Sequence, residues 1–351
     1  MKLSIPEKMT VVGLSEDGRL VSHIRPVPKP GPGEVLVRIA AAPVNPSDLA
    51  RIRQVTGTAG QDSFVSGIEG SGTVVAHGTG FLPRLWMGKR VACSYTHQGS
   101  GTWADFMVTA ASHCIPLPAG ISDEQGAMLL INPLTAVAFI DIARQGKHRA
   151  IVNTAAASSL GRMIEFLARQ KRIPVINIVR NARQQQDLLA GGSVYVLNSA
   201  EEHFSESLQE LSHKLQASLV LDAVGGKHTQ ELILAIPYDS SLVIYGNLSG
   251  EQPKIDHRSL VMENKKVSGF FLGNWLKEGS PVNMLRSSVR VRKLLKSEIT
   301  IPVQGRFPLQ EAQLAVDRYL ENMTAGKVLL IPDLRKAAII GWEATRTDIH
   351  R

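Results

Sequence analysis

The sequence predicts an α/β protein. A β-rich domain is built from both chain ends, residues 1–122 and 301–351, and a doubly wound α/β domain, residues 123–300, is inserted between them. Three observations predict this. Up to about residue 122, short alternating segments are separated by turns rich in Gly and Pro. From about residue 123, apolar runs alternate with helical patterns. After about residue 300 the strand-like pattern returns, with one helix.

Taken in order, Thr10 to Leu14 and Leu20 to Ile24 flank Glu16-Asp17-Gly18 and read as a hairpin. The stretch PVPKPGPGEVLVRIAAAPVNPSD (26–48) is rich in helix breakers, and Glu34 to Ile39 alternates within it as a strand does. Further strands are predicted at Gly72 to Ala76, Arg90 to Cys93 and Phe106 to Val108. Helices are predicted at Asp123 to Leu130 and Pro133 to Ala143. The apolar runs that follow are Ala150–Asn153, Pro174–Val179, Val194–Leu197, Leu219–Val224, Leu242–Tyr245 and Val267–Leu272. Between the first two, Leu160, Met163, Ile164, Leu167 and Ala168 share one helical face. Continuous apolar strands joined by amphipathic helices imply a parallel sheet with right-handed crossovers. Leu309 to Met323 reads as the last helix, with Leu314, Ala315, Tyr319 and Leu320 on its apolar face, and Val328 to Ile331 as the last strand.

Composition narrows the function classes. Of 351 residues, 44% are hydrophobic and 20% charged, as in a globular protein. No apolar run approaches the roughly 18–20 residues of a membrane helix, and Met1 to Pro6 lacks the apolar core of a signal peptide. The two cysteines, Cys93 and Cys114, make neither a metal-spaced pair nor a disulfide framework, so a cytoplasmic location is expected. The net charge of +8 is spread over small groups such as Arg180 with Arg183 and Lys265 with Lys266. Such scattered positive charge suits anionic small ligands about as well as RNA, but with no long basic tail or Arg/Gly-rich segment nucleic acid is not an expected partner.

The stretch VNTAAASSLGRM (152–163) stands at the first β-to-α transition of the inserted domain. A dinucleotide turn aims backbone N–H groups at the pyrophosphate, usually with the spacing G-x-G-x-x-G/A. The equivalent window here is Ala156-Ala157-Ser158-Ser159-Leu160-Gly161, which keeps only the third, packing glycine. Hydroxyls of Ser158 or Ser159 could donate where glycine would have allowed closer approach; either could instead be a helix N-cap. About 20 residues on, an acidic residue would bind the ribose hydroxyls of NAD. The sequence reads Ile178-Val179-Arg180-Asn181-Ala182-Arg183, with two guanidinium groups and no carboxylate. Arg180 and Arg183 suit the 2′-phosphate of NADP, with two solvated arginines at a helix start as the other reading, and NADPH is the expected cofactor.

These segments carry a resemblance. PGPGEVLVRIAAAPVNPSD (30–48), GIEGSGTV (67–74), GSGTWADF (99–106), NPLTA (132–136), NTAAASSLG (153–161), LDAVGG (221–226) and AGKVLLIP (325–332) occur in the order and spacing of one family. The chain resembles the medium-chain dehydrogenase/reductase superfamily, on its zinc-independent branch of quinone oxidoreductases and enoyl-thioester reductases. The resemblance implies a GroES-like catalytic domain, a Rossmann domain and a homodimer formed through the Rossmann domain. Zinc-dependent relatives place a Cys where Asn45 stands and a His where Ile68 stands; neither Asn nor Ile supplies the ligands a catalytic zinc needs. Glu69 is left from that pattern as a structural carboxylate.

The reaction implied is hydride transfer from NADPH to a quinone or an α,β-unsaturated carbonyl. The resemblance puts Asn45 beside the nicotinamide and the acceptor carbonyl, where its amide could stabilise oxyanion charge; an Asn-Pro turn is the other reading. Thr135 is expected near the nicotinamide or phosphate, or else bonded to its own helix. Val224, Gly225, Gly246, Asn247, Leu248, Phe271 and Leu272 end predicted strands, where this fold binds its ligand. Ala157 and Leu160 belong to the phosphate turn, and Lys327 resembles a basic cofactor contact, with a surface lysine as the alternative. Enoyl-thioester reductases usually carry a tyrosine shortly after the VNPSD-like motif, but Leu49 to Val55 contains none. Tyr95, with His97 behind it, is the substitute candidate for proton donor, and the other reading is that both only line a pocket wall. The alternatives are an enoyl-thioester reductase and, from another class, an NADPH-sensing or RNA-binding protein without turnover.

Overall fold

The computed structural model describes residues 5–58, 63–96, 100–278, 290–291 and 301–332. His97 and the tail after Asp333 lie outside them. The chain forms two compact units, residues 1–131 with 300–351 and residues 132–299.

The first unit begins with the antiparallel pair β1 (Lys8–Leu14) and β2 (Leu20–Pro26). Gly18 in the turn between them has a φ of +78°, a conformation natural to glycine. Next come β3 (Glu34–Pro43), α1 (Pro46–Val55), β4 (Glu69–His77), α2 (Phe81–Trp86), β5 (Arg90–Ser94), β6 (Phe106–Ala110), β7 (Cys114–Pro116) and α3 (Asp123–Ala127). Helix α1 is absent from the sequence-based expectation, which treats the prolines of 26–48 as breakers. Pro46 stands at the start of α1, where its missing N–H costs nothing and its φ favours the helix. The helix expected over Asp123 to Leu130 is shorter, ending at Ala127.

The second unit carries α4 (Ile131–Gln145), β8 (Ile151–Asn153), α5 (Ser159–Gln170), β9 (Val175–Val179), α6 (Ala182–Ala190), β10 (Tyr195–Asn198) and α7 (Phe204–Leu215). After these follow β11 (Leu219–Asp222), α8 (Lys227–Ala235), β12 (Ser241–Ile244), α9 (His257–Met262), β13 (Lys266–Gly269) and α10 (Leu272–Glu278). The six strands form one parallel sheet in the order β10-β9-β8-β11-β12-β13. This is the Rossmann arrangement, whose strand order reverses between β8 and β11. Strands β8, β9 and β11 are buried throughout, which explains their unbroken apolar sequence. Helix α5 buries Met163, Ile164, Leu167 and Ala168, as its periodicity predicts.

The chain then returns to the first unit with β14 (Val303–Phe307), α11 (Ala312–Glu321) and β15 (Lys327–Leu330). The seven-stranded sheet runs β14-β15-β3-β4-β5-β7, with β6 also on β3. The apolar face expected for the last helix is misplaced: Leu314 and Leu320 are 55% and 52% exposed, while Ala312, Ala315, Val316 and Tyr319 are buried. Ala312 completes an i, i+3, i+4, i+7 set that outweighs the two leucines. Phe271 and Leu272 lie beyond β13, with Phe271 exposed and Leu272 opening α10.

Candidate active site

The predicted residues divide between the two units; among them, Asn45 meets Lys327 in the first unit and Gly225 lies against Asn247 in the second. In the second unit, the crevice between the ends of β8 and β11 is where a doubly wound sheet binds its ligand. The turn from β8 to α5 has Ala155 at φ +49°, so the left-handed residue is Ala155 and not Ala156. Ser158 caps α5, its Oγ accepting the Gly161 N–H at 3.1 Å, which leaves its own O–H to donate. A Cβ on Gly161 would stand 2.6 Å from the Ala156 carbonyl oxygen and 2.7 Å from that of Ala155. Glycine there lets the helix press against the turn. Ala157 is buried; Ser159 and Leu160 are half-buried.

Asp222, at the end of β11, organises the opposite side of this crevice and was not singled out from sequence. Its Oδ1 accepts the N–H groups of Val224 (2.8 Å) and Gly225 (3.2 Å), and its Oδ2 accepts the Thr229 hydroxyl at 2.8 Å. Thr154 ties the two strand ends by accepting the Ala223 N–H at 2.8 Å and donating towards Leu221 and Asp222. Gly225 has φ +74°, and a Cβ on it would meet Asn247 Oδ1 at 2.8 Å. Gly246 is half-buried, whereas Asn247 and Leu248 are exposed. Past β9, Asn181 caps α6, with Oδ1 accepting the Gln184 N–H at 2.9 Å. Arg180 and Arg183 stand exposed on either side of that cap, without an acidic partner among the described residues. Thr135 is buried on α4.

In the first unit, antiparallel pairing brings the end of β3, the start of β4, the end of β5 and the start of β15 to one edge of the sheet. Asn45, Asp48, Glu69 and Lys327 meet there, all at most 3% exposed. Asn45 Nδ2 donates to Glu69 Oε1 at 2.9 Å, and Lys327 Nζ donates to Asn45 Oδ1. Glu69 Oε2 also accepts the N–H groups of Leu130 (3.0 Å) and Ile131 (2.9 Å). Asp48 accepts the N–H groups of Asn45 (2.8 Å) and Ile68 (2.9 Å). Lys327 is therefore an interior cation in this unit and not a surface lysine.

Burial raises the Asp48 carboxyl to about 7, aided by the neighbouring Glu69 and opposed by its backbone hydrogen bonds and Lys327. Burial likewise raises Glu69 and lowers Lys327, and in both cases the opposite charge of the other resists the shift. Tyr95 follows β5 and is half-buried, its N–H bonded to the Ile68 carbonyl at 3.1 Å. The Arg51 guanidinium lies 4.0 Å from the Tyr95 ring centre and 4.7 Å from that of Phe64. Neither Asp48 nor Arg51 was singled out from sequence, because nothing local tells their environments from those of other charged residues on a short helix.

Asn45 and Ile68 stand where the resemblance expects zinc ligands in zinc-dependent members. Among the described residues no three His, Cys, Asp or Glu side chains are placed to hold a metal ion.

Residues 31–119 match the alcohol dehydrogenase GroES-like domain family, and residues 137–287 the zinc-binding dehydrogenase family. The mitochondrial enoyl-[acyl-carrier-protein] reductase of Bos taurus is 29% identical over 310 residues, covering 86% of this chain and 81% of that protein. A crystal structure from Mesorhizobium loti, described as an NADPH:quinone reductase, is 31% identical with a TM-score of 0.84, covering 94% of this chain and 100% of that one. A mycobacterial protein complexed with NADPH is 25% identical with a TM-score of 0.78, covering 92% and 100%. A GroES-like unit, a Rossmann unit and these relatives agree: the chain belongs to the medium-chain dehydrogenase/reductase superfamily and is an NAD(P)H-dependent oxidoreductase of its quinone-oxidoreductase and enoyl-reductase type.

Proposed function

We propose that this protein is an NADPH-dependent, zinc-independent reductase acting on a quinone or an α,β-unsaturated carbonyl. The observation that carries the cofactor choice is the end of β9. Two exposed guanidinium groups, Arg180 and Arg183, flank the start of α6 where an NAD-binding chain would carry a carboxylate. The turn fits a pyrophosphate: the Ser158 O–H meets no acceptor among the described residues, Gly161 allows close packing, and the start of α5 presents backbone N–H groups. The mycobacterial relative complexed with NADPH supports the same choice.

When bound, the nicotinamide supplies the hydride. The chain's own residues bind, orient and exclude water. Ala157 to Gly161 take the pyrophosphate, Arg180 and Arg183 the 2′-phosphate, and Val224, Gly225 and Gly246 to Leu248 the strand-end side of the crevice. Thr135, Phe271 and Leu272 complete the cofactor contacts. Asn45 donates its remaining amide hydrogen to the acceptor oxygen as negative charge builds there. Tyr95 is the candidate proton donor. A hydroquinone can take its proton from water, so Tyr95→Phe is expected to change turnover modestly or not at all; a loss of several orders of magnitude would make the phenol the donor.

The proposed assembly is a homodimer through the second unit, whose strand β13, outermost among the described strands, has exposed residues at Lys266, Ser268 and Gly269. Among the described residues no helix is long and apolar enough to cross a membrane. The two unpaired, buried cysteines suit a reducing compartment such as the cytoplasm.

The test is NADPH oxidation against quinones, enones and an enoyl-CoA, with NADH as control. Turnover of a quinone or enone with preference for NADPH is expected. Turnover of enoyl-CoA alone would favour the reading suggested by the Bos taurus relative. NADPH binding without turnover, or salt-sensitive RNA binding displaced by NADPH, would replace the enzymatic reading with a sensing or RNA-binding one.

A further inference from the structure

We propose that Lys327 and Glu69 are positioning residues that grip the Asn45 carboxamide from its two ends and so decide which atom it offers to the substrate. The inference rests on the reading that Asn45 donates to the acceptor oxygen.

A carboxamide can be turned over with little change in shape, so something must fix which end is nitrogen. Here both ends are fixed by chemistry. An ammonium has only donors, so the group Lys327 Nζ touches must be the amide oxygen. Glu69 accepts two backbone N–H groups and faces the Lys327 charge, both of which favour its carboxylate form; a carboxylate has only acceptors, so the group its Oε1 touches at 2.9 Å is the amide nitrogen. Glu69 is itself locked, because its second oxygen accepts two backbone N–H groups, Leu130 and Ile131. The Asn45 backbone is held as well, through its N–H bond to Asp48.

The consequence is an amide with one hydrogen left on Nδ2 and a cation on its oxygen. Positive charge at Oδ1 draws electron density from the nitrogen, and the carboxylate on its other N–H works against this, so what the two partners set together is the direction of the last N–H. A fixed, desolvated donor is what stabilises charge as it develops, because it need not reorganise during the reaction. Lys327 thus acts through Asn45, which departs from the direct cofactor contact expected from the resemblance.

The experiment is steady-state kinetics with NADPH and a quinone or enone for Asn45→Ala, Lys327→Met, Lys327→Arg, Glu69→Gln and the Asn45→Ala/Lys327→Met double variant. Lys327→Met and Glu69→Gln are expected to lower kcat by about 10- to 100-fold while KM for NADPH stays within about threefold. Lys327→Arg, which restores a cationic donor, should recover part of the loss. In the Asn45→Ala background, Lys327→Met should cost little more, because the amide it positions is gone. A rise in KM for NADPH at unchanged kcat would overturn the proposal in favour of a cofactor contact, and additive losses in the double variant would also overturn it. Wild-type turnover unaffected by Asn45→Ala would instead remove the underlying reading of Asn45. Should a charge-removing variant not fold, the wild-type Asn45 side-chain amide is read by NMR. One strongly protected proton is expected, and two equally exchanging protons would overturn the grip.

Discussion

Arg180 and Arg183 are exposed, lie next to a helix start, and have no acidic partner among the described residues. Two cations at a helix N-terminus oppose the helix dipole, so an anion between them relieves the repulsion. Replacing both with Ser is expected to raise KM for NADPH by about 10- to 100-fold, the worth of one or two charge-assisted hydrogen bonds, and to leave KM for NADH nearly unchanged. Steady-state kinetics with both cofactors checks this. At Asp48 the expectation concerns pH. Its carboxyl titrates at about 7 when folded, against an ordinary value near 4 when unfolded, so the folded chain holds the proton longer. The stability this contributes is complete below about pH 4 and is lost as pH rises through about 7. Asp48→Asn should flatten that slope, removing on the order of 2 kcal/mol of the change between pH 5 and pH 8. Urea unfolding followed by tryptophan fluorescence measures it, since Trp103 is fully buried in the same unit.

At the scale of elements, the β8-to-α5 connection shows two small residues under opposite demands. Ala155 is held at a positive φ, while Gly161 is needed only for its missing side chain. Ala155→Gly should therefore leave stability unchanged or raise it by up to about 1 kcal/mol. Gly161→Ala should cost about 1–3 kcal/mol and weaken NADPH binding, because the atoms a methyl would strike are backbone carbonyls that cannot swing away. Thermal unfolding with and without NADPH separates the two outcomes. Periodicity made α5 and the parallel strands legible, since their faces are written in consecutive residues. It failed at α1, whose start looks like a breaker run, and at α11, where small alanines and a tyrosine face the core and two leucines face water.

At the scale of the molecule, the outer edge of β13, which no other described strand pairs, is the feature that bears on assembly. The Lys266 N–H bonds to Ser240 and the Phe270 N–H to Ile244, so alternation turns the N–H groups of Val267 and Gly269 to the open side. Such an edge invites a second strand. Sedimentation of the wild type should show a dimer, and Gly269→Pro, which removes an outward N–H, should shift it towards monomer at equal concentration without loss of fold. A monomeric wild type would remove the proposed homodimer.

The sequence by itself determined the alternation of strands and helices in the second unit, the cationic end of β9, and an Asn and an Ile at positions 45 and 68, where the resemblance expects zinc ligands in zinc-dependent members. Each of these is a property of residue type or of spacing within one segment. Only the tertiary structure decided that Lys327 meets Asn45 across 282 positions of chain, and that Asp48 and Glu69 share their interior. Periodicity says which face of a strand is buried, but not which strand lies beside it. The pairing of β15 with β3, and of β3 with β4, turned a lysine, an asparagine and two carboxylates into one buried group. There burial pushes the two carboxyls up and the ammonium down, and the attraction between Glu69 and Lys327 resists both shifts.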